Sequence, residues 1–178
     1  MLINRKKLPA LAVLFSLVIL PSVCPAAEQV TVGFSPGGSA QAAVLDVIGQ
    51  ARESTDLAAY YLTSKSTAQA LAEAAERGGS VRVVADKKAN GSRYTAATWL
   101  ARHGIPVRVN GHYDIMHNKF MIIDGRTVET GSFNYTASAD KRNAENVIVL
   151  RDMPDAAQPY AREFERLWNE SEPLNSGL

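Results

Sequence analysis

The sequence predicts an α/β protein: a mixed, largely parallel β-sheet flanked by helices on both faces. Three observations carry this. Short β-branched runs alternate with longer stretches of helical period through the first half of the chain. Gly and Pro pairs punctuate the junctions. In the second half two apolar runs flank Asp124-Gly125, a hairpin signal that adds antiparallel strands.

Taken in order, Val30 to Phe34 is expected as a strand and Ser35-Pro36-Gly37-Gly38 as a loop. That loop precedes a helix and could cradle a phosphate there, or simply connect. Ala40 to Glu53 is expected as a helix, with Val44, Val47 and Ile48 on one face. Asp56 to Leu62 has strand character. Ser66 to Arg77 has helical period and closes at Gly78-Gly79. Val81 to Ala85 is a strand, and Arg93 to His103 a helix stopped by Gly104. Strands follow at Val107 to Asn110, Lys119 to Ile123, Thr127 to Thr130 and Asn146 to Leu150. Asp155 to Asn169 is the closing helix. No internal repeat or low-complexity tract is present.

Residues 1–27 have the pattern of a secretory signal peptide. Arg5, Lys6 and Lys7 form a basic start, Leu8 to Leu20 an apolar run, and Pro21 to Ala27 a zone of small residues. The apolar run is short for a membrane span. The expected product is a periplasmic or secreted single domain, residues 28–178, without stable membrane association. Retention as an N-terminal anchor is the alternative. Cys24 lies in the removed segment, so no disulfide is expected afterwards. Removal leaves 16 basic against 18 acidic residues, a net charge of −2. That excludes a strongly basic DNA-coating protein, and any nucleic-acid contact must be a local patch.

The chemistry concentrates in His117-Asn118-Lys119-Phe120-Met121-Ile122-Ile123-Asp124, a pattern H-x-K-x4-D. Composition alone gives such a pattern a frequency of about 0.005 in this chain, so coincidence is a poor account. On a strand His117 and Lys119 share a face, while Asp124 falls on the other. An imidazole nucleophile beside a compact cation suits phosphate chemistry. Asp124 is expected to be structural, bonding nearby backbone or a basic group at its turn. His103, at a helix end, is expected to be structural. His112 could line the site entrance. No metal-ligand motif is visible, and no cofactor is expected.

With Gly131-Ser132-Phe133-Asn134 following, the chain resembles the phospholipase D superfamily, whose signature is H-x-K-x4-D and then G-S/G-x-N. The likeness extends from about Val30 to Trp168 and includes Val32 to Gly38, Thr130 to Thr136 and Arg142 to Val147. It is nearest to the small bacterial endonucleases that carry one motif per chain. The resemblance implies the phospholipase D/nuclease fold, with His117 as nucleophile and Lys119 neutralising phosphate oxygens. Asn134 would donate amide hydrogens to the same oxygens. Ser132 would add a hydroxyl, and Gly131 would allow close backbone approach. Glu145 would orient the His117 ring.

A leaving alkoxide also needs a proton, and one chain offers one motif histidine. The small family members resemble a solution by symmetry: a homodimer in which two motifs line one site. The leading expectation is a metal-independent endonuclease acting on DNA or RNA through a covalent phosphohistidine. The alternatives are a phospholipase D-type lipid phosphodiesterase and a non-catalytic nucleic-acid binding or uptake protein.

Overall fold

The computed structural model describes residues 29–91 and 95–174. Eight strands form one sheet: β1 (Gln29–Ser35), β2 (Ser54–Ala59), β3 (Ser80–Asp86), β4 (Val107–Asn110), β5 (Lys119–Ile123), β6 (Thr127–Gly131), β7 (Glu145–Arg151) and β8 (Glu172–Pro173). Their spatial order is β1-β7-β6-β5-β2-β3-β4-β8. The helices are α1 (Ser39–Gln50), α2 (Lys65–Glu76), α3 (Lys87–Asn90), α4 (Ala96–Arg102), α5 (Ala137–Lys141) and α6 (Pro154–Asn169).

Strand alternation divides the apolar residues between two faces. Leu57, Val83, Met121, Ile123, Val147 and Val149 face α1, α2 and α4 in the larger core. Ala58, Val84, Phe120, Ile122 and Val128 face α6, which supplies Ala157, Phe164 and Leu167. Arg82 helps to fix α6. Its guanidinium pairs with Asp56 at 2.8 Å and Glu165 at 2.6 Å and lies 4.9 Å from the Phe164 ring centre.

The mixed α/β class with helices on both faces is what the sequence predicts. The balance of pairings differs. Only β2–β3 and β3–β4 are parallel. The other five pairings are antiparallel, so the sheet is not largely parallel. The crossovers through α2 and α4 make the parallel pairs. The Asp124-Gly125 hairpin, with φ of 51° and 64°, starts an antiparallel half that β1 joins from the far edge.

Three boundaries differ for physical reasons. α1 ends at Gln50 rather than near Glu53, because the Asp124 carboxylate takes the N–H groups of Arg52, Glu53 and Ser54 at 2.7–3.2 Å. β2 ends at Ala59 rather than Leu62, because Leu62 N–H bonds Asn90 Oδ1 at 3.0 Å and Leu62 bridges to Tyr135. α4 begins at Ala96, where Thr95 and Thr98 form a reciprocal capping box. The expected start of that helix, Arg93-Tyr94, and the whole targeting segment lie outside the described residues. α3, α5 and β8 were not foreseen: at two to five residues they are too short to show a period.

Candidate active site

One end of four adjacent strands gathers the motif residues. Ala59 closes β2 there and pairs with Lys119, which opens β5. Gly131 closes β6 and pairs with Val147 on β7, whose first residue is Glu145. Gly131 is required at this crossing. A Cβ on it would sit 2.2 Å from the Asn146 carbonyl oxygen, so any side chain would force β6 and β7 apart.

His117 lies just before β5, and its ring meets the Lys119 ammonium. Lys119 Nζ is 3.4 Å from both ring nitrogens and donates to the His117 carbonyl at 2.9 Å. Lys119 is 8% exposed. Burial lowers its pKa, and the charge of Glu145 opposes that shift. Tyr60 completes this shelf. Its ring centre is 4.6 Å from that of His117 and 5.5 Å from Lys119 Nζ.

The Gly-Ser-Phe-Asn element runs alongside in alternation. Phe133 is fully buried and anchors the segment from below. Ser132 is exposed, accepts the Asn146 N–H at 3.0 Å and donates to Glu145 Oε2 at 2.6 Å. Glu145 Oε1 accepts from Asn143 Nδ2 at 2.9 Å. The hydrogen bonds of Glu145 thus go to Ser132 and Asn143 and not to the His117 ring, and its link to Lys119 is electrostatic. The side-chain carbonyl of Asn134 is buried without a partner, although buried polar atoms are normally paired.

Asp124 stands at the opposite end of β5, where its four hydrogen bonds tie the hairpin to the chain before β2. His103 packs on Trp99, with Nδ1 2.8 Å from the Trp99 carbonyl. His112 contacts Asn110 and Tyr113. The end of β1, rather than the loop that follows it, packs tightly onto the start of α1. Phe34 N–H and C=O both bond Ser39 Oγ at 2.9 Å, and a Cβ on Gly33 would lie 2.6 Å from the Ser39 oxygen.

Sequence reasoning missed the groups that hold the shelf. Asn90 is buried, donates to the Tyr60 carbonyl at 2.6 Å and accepts the Leu62 N–H. Asp86 Oδ2 takes the Met116 N–H at 2.8 Å, immediately before His117. Glu129 is 1% exposed and accepts from the Tyr135 hydroxyl at 2.8 Å. The Tyr135 backbone in turn accepts from Thr63 and Ser64 and donates to Tyr61. No local signal marked Glu129: in Thr127-Val128-Glu129-Thr130 a Glu after Val128 fits the alternation of a half-exposed strand.

Burial raises the Glu129 carboxyl to about 8, against a smaller lowering by Tyr135. From the ordinary carboxylate range up to about 8, the folded chain keeps a proton that the unfolded chain has lost. Stability therefore falls as pH rises through that window and levels off above it. Glu129→Gln is expected to remove this dependence. Its unfolding free energy should gain on the wild type between about pH 5 and 8, by a few kcal/mol at about 1.4 kcal/mol per unit, seen as a rising difference in melting temperature. Parallel melting curves for the two proteins across that range would reject the idea.

Among the described residues no group of three or more His, Cys, Asp or Glu side chains is placed to share a metal ion. What the site offers is an accessible imidazole and a half-desolvated ammonium at the head of β5, with a hydroxyl-bonded carboxylate acting on that ammonium through its charge and Asn134 on the neighbouring segment. That set can attack an electrophile and hold negative oxygen.

A sequence profile of the family described as "Cardiolipin synthase, PLD-like domain" matches residues 44–168. The chain is 40% identical over 125 residues to a phospholipase D of Rickettsia bellii, covering 70% of this chain and 62% of that protein. It is 35% identical over 157 residues to the human mitochondrial cardiolipin hydrolase, covering 86% and 58%. The chain thus spans about three-fifths of the length of these relatives. Its fold is similar to the crystal structure of Nuc from Salmonella typhimurium, a phospholipase D family member, with a TM-score of 0.82 and 38% identity over 84% of this chain and 100% of that one. NucT from Helicobacter pylori shares the fold, with a TM-score of 0.76 and 22% identity over 83% and 100%.

Proposed function

The chain belongs to the phospholipase D superfamily, and on that premise we propose that it is a phosphodiesterase acting on nucleic acid, an endonuclease of low sequence specificity. The observation that carries this reading is the placement of Lys119 Nζ 3.4 Å from the His117 ring, with Asn134 and Ser132 on the neighbouring segment.

In the first step a ring nitrogen of His117 attacks phosphorus and the bond to the leaving oxygen breaks, giving a phosphohistidine. The departing alkoxide takes its proton from a general acid. In the second step water attacks the same phosphorus and gives its proton to the general acid, now acting as base, while the P–N bond breaks and the phosphomonoester leaves. Lys119 and the Asn134 amide meet the charge that builds on the equatorial oxygens. Ser132 and Asn143 hold the Glu145 carboxylate beside Lys119, where it keeps the ammonium charged against its burial.

The general acid is a second His117, brought by a second copy of the chain. An uncovered apolar surface supports this. On the α6 side of the sheet, α6 covers β6, β5, β2, β3 and β4. Val30, Val32 and Phe34 of β1 point to the same side and are 54–59% exposed, with Ile148 and Leu150 paired beside them. This patch adjoins the site: Ile148 pairs with Thr130, which lines a cavity shared with His117 and Lys119. A two-fold axis there would bury the patch and bring two motifs together. Secretion, with removal of residues 1–27, completes the proposal and keeps a nuclease from the cell's own DNA.

The test is a digest of plasmid DNA by purified protein in excess chelator, with His117→Ala alongside. Cleavage is expected to persist with chelator and to vanish in the variant. Loss with EDTA and recovery with magnesium would refute the metal-independent route. The names of the relatives carry a second reading, a lipid phosphodiesterase. Cardiolipin and phosphatidylcholine vesicles assayed beside DNA decide between the two.

A further inference from the structure

Aromatic contacts continue outward from the nucleophile. Tyr60 touches His117 at 4.6 Å and Tyr61 at 4.4 Å between ring centres. Tyr61 is 40% exposed, yet its backbone is held, since its carbonyl accepts the Tyr135 N–H at 3.2 Å. A phenol mounted on a held backbone and packed on Tyr60 thus presents two-fifths of its surface to solvent, one ring removed from the His117 imidazole.

Two residues further on, Thr63 and Lys65 open a cleft of about 610 Å³ between α2 and α4. Its described lining also includes Thr95, Thr98, Trp99 and Arg102. Trp99 is 40% exposed and stacks on His103 at 3.8 Å, which holds its indole in place. Among the described residues no Asp or Glu lines this cleft. Beyond Trp99 the adjoining hollow carries Glu73 and Glu76, so the carboxylates begin only at the end remote from Tyr61. Mounted aromatic faces together with cations and hydroxyls are the composition that binds unpaired nucleotides: bases stack, and phosphates meet the cations.

We infer that Tyr61 and the α2–α4 cleft form a track for a single nucleic-acid strand, with Tyr61 stacking the base next to the phosphate held at His117. Lys65 meets a phosphate further along, and Trp99 offers a second stacking face. This rests on the nuclease reading and adds to it a preference for unpaired strands, because a duplex hides the base faces that Tyr61 would contact.

The experiment compares full-length wild type, Tyr61→Ala, Tyr61→Phe and Lys65→Ala on a single-stranded oligonucleotide and on methyl p-nitrophenyl phosphate, whose methyl group stands in place of the nucleoside that Tyr61 would stack. Tyr61→Ala is expected to raise KM for the oligonucleotide about 5- to 150-fold, the range of stacking one base on one ring. Its hydrolysis of the small diester should stay unchanged. Tyr61→Phe should keep the wild-type KM. Lys65→Ala should flatten the salt dependence of oligonucleotide binding by about 0.7 in the log–log slope. Unchanged oligonucleotide KM in Tyr61→Ala overturns the track alone, as does an equal loss on both substrates. A wild type that cleaves the small diester and no oligonucleotide overturns the nuclease reading and the track with it.

Discussion

Replacing His117 by Ala is expected to lower phosphodiester hydrolysis by at least about 10³-fold, with binding of the substrate largely kept. The size follows from removing the atom that forms the covalent bond, which leaves only charge stabilisation by Lys119 and its neighbours. Lys119 itself should stay in place, since its shortest bond is to the His117 backbone carbonyl at 2.9 Å, which the substitution retains. Rapid denaturation of the wild type in alkaline detergent during turnover of a slow substrate should leave a phosphoryl group on the enzyme that is stable to alkali and released by acid, absent from His117→Ala. An active wild type that never accumulates phosphate on its imidazole under conditions of rate-limiting hydrolysis would defeat the covalent route.

The second large effect is expected from Phe34→Glu. Phe34 is 59% exposed in the single chain, beside Val32 at 54%. A two-fold contact through this face would set each introduced carboxylate in an apolar, desolvated surface, costing several kcal/mol per dimer. The variant should sediment as a monomer at micromolar concentration and lose phosphodiesterase activity with its partner. Its melting temperature should hold, because the residue lies outside both cores. Dimers mixed from wild type and His117→Ala supply the complementary readout. Full activity per remaining His117 would show that each chain works alone, and a fully active monomeric Phe34→Glu would show the same.

The elements with strong local signals were legible. Val107–Asn110 stands where the alternation of apolar residues puts it and Lys119–Ile123 where an unbroken apolar run does, and the Asp124-Gly125 turn is the hairpin its composition indicates. The proximity of His117 and Lys119 was legible for the same reason, as neighbours two residues apart need no knowledge of distant chain. The parallel share of the sheet was not. Strand direction depends on which strand a chain returns to, and residues 111–118 carry no local mark of it. Glu129 was invisible as part of the site because a Glu after Val128 fits the alternation of a half-exposed strand, and Tyr60, Asp86 and Asn90 because each acts through a partner distant in sequence. Asn90, for example, bonds the Tyr60 carbonyl thirty residues away.

The sequence by itself determined the chemistry: an imidazole and an ammonium spaced to meet, followed by Gly-Ser-Phe-Asn. Only the tertiary structure decided how that chemistry is mounted. It sent Glu145 to Ser132 and Asn143, set Tyr60 against His117, and, among the described residues, left Val30, Val32 and Phe34 exposed on the side of the sheet that α6 covers elsewhere. The physical reason is range. Periodicity and turn chemistry act over a few residues, whereas hydrogen bonds across strands and the coverage of a sheet face depend on where the whole chain has gone.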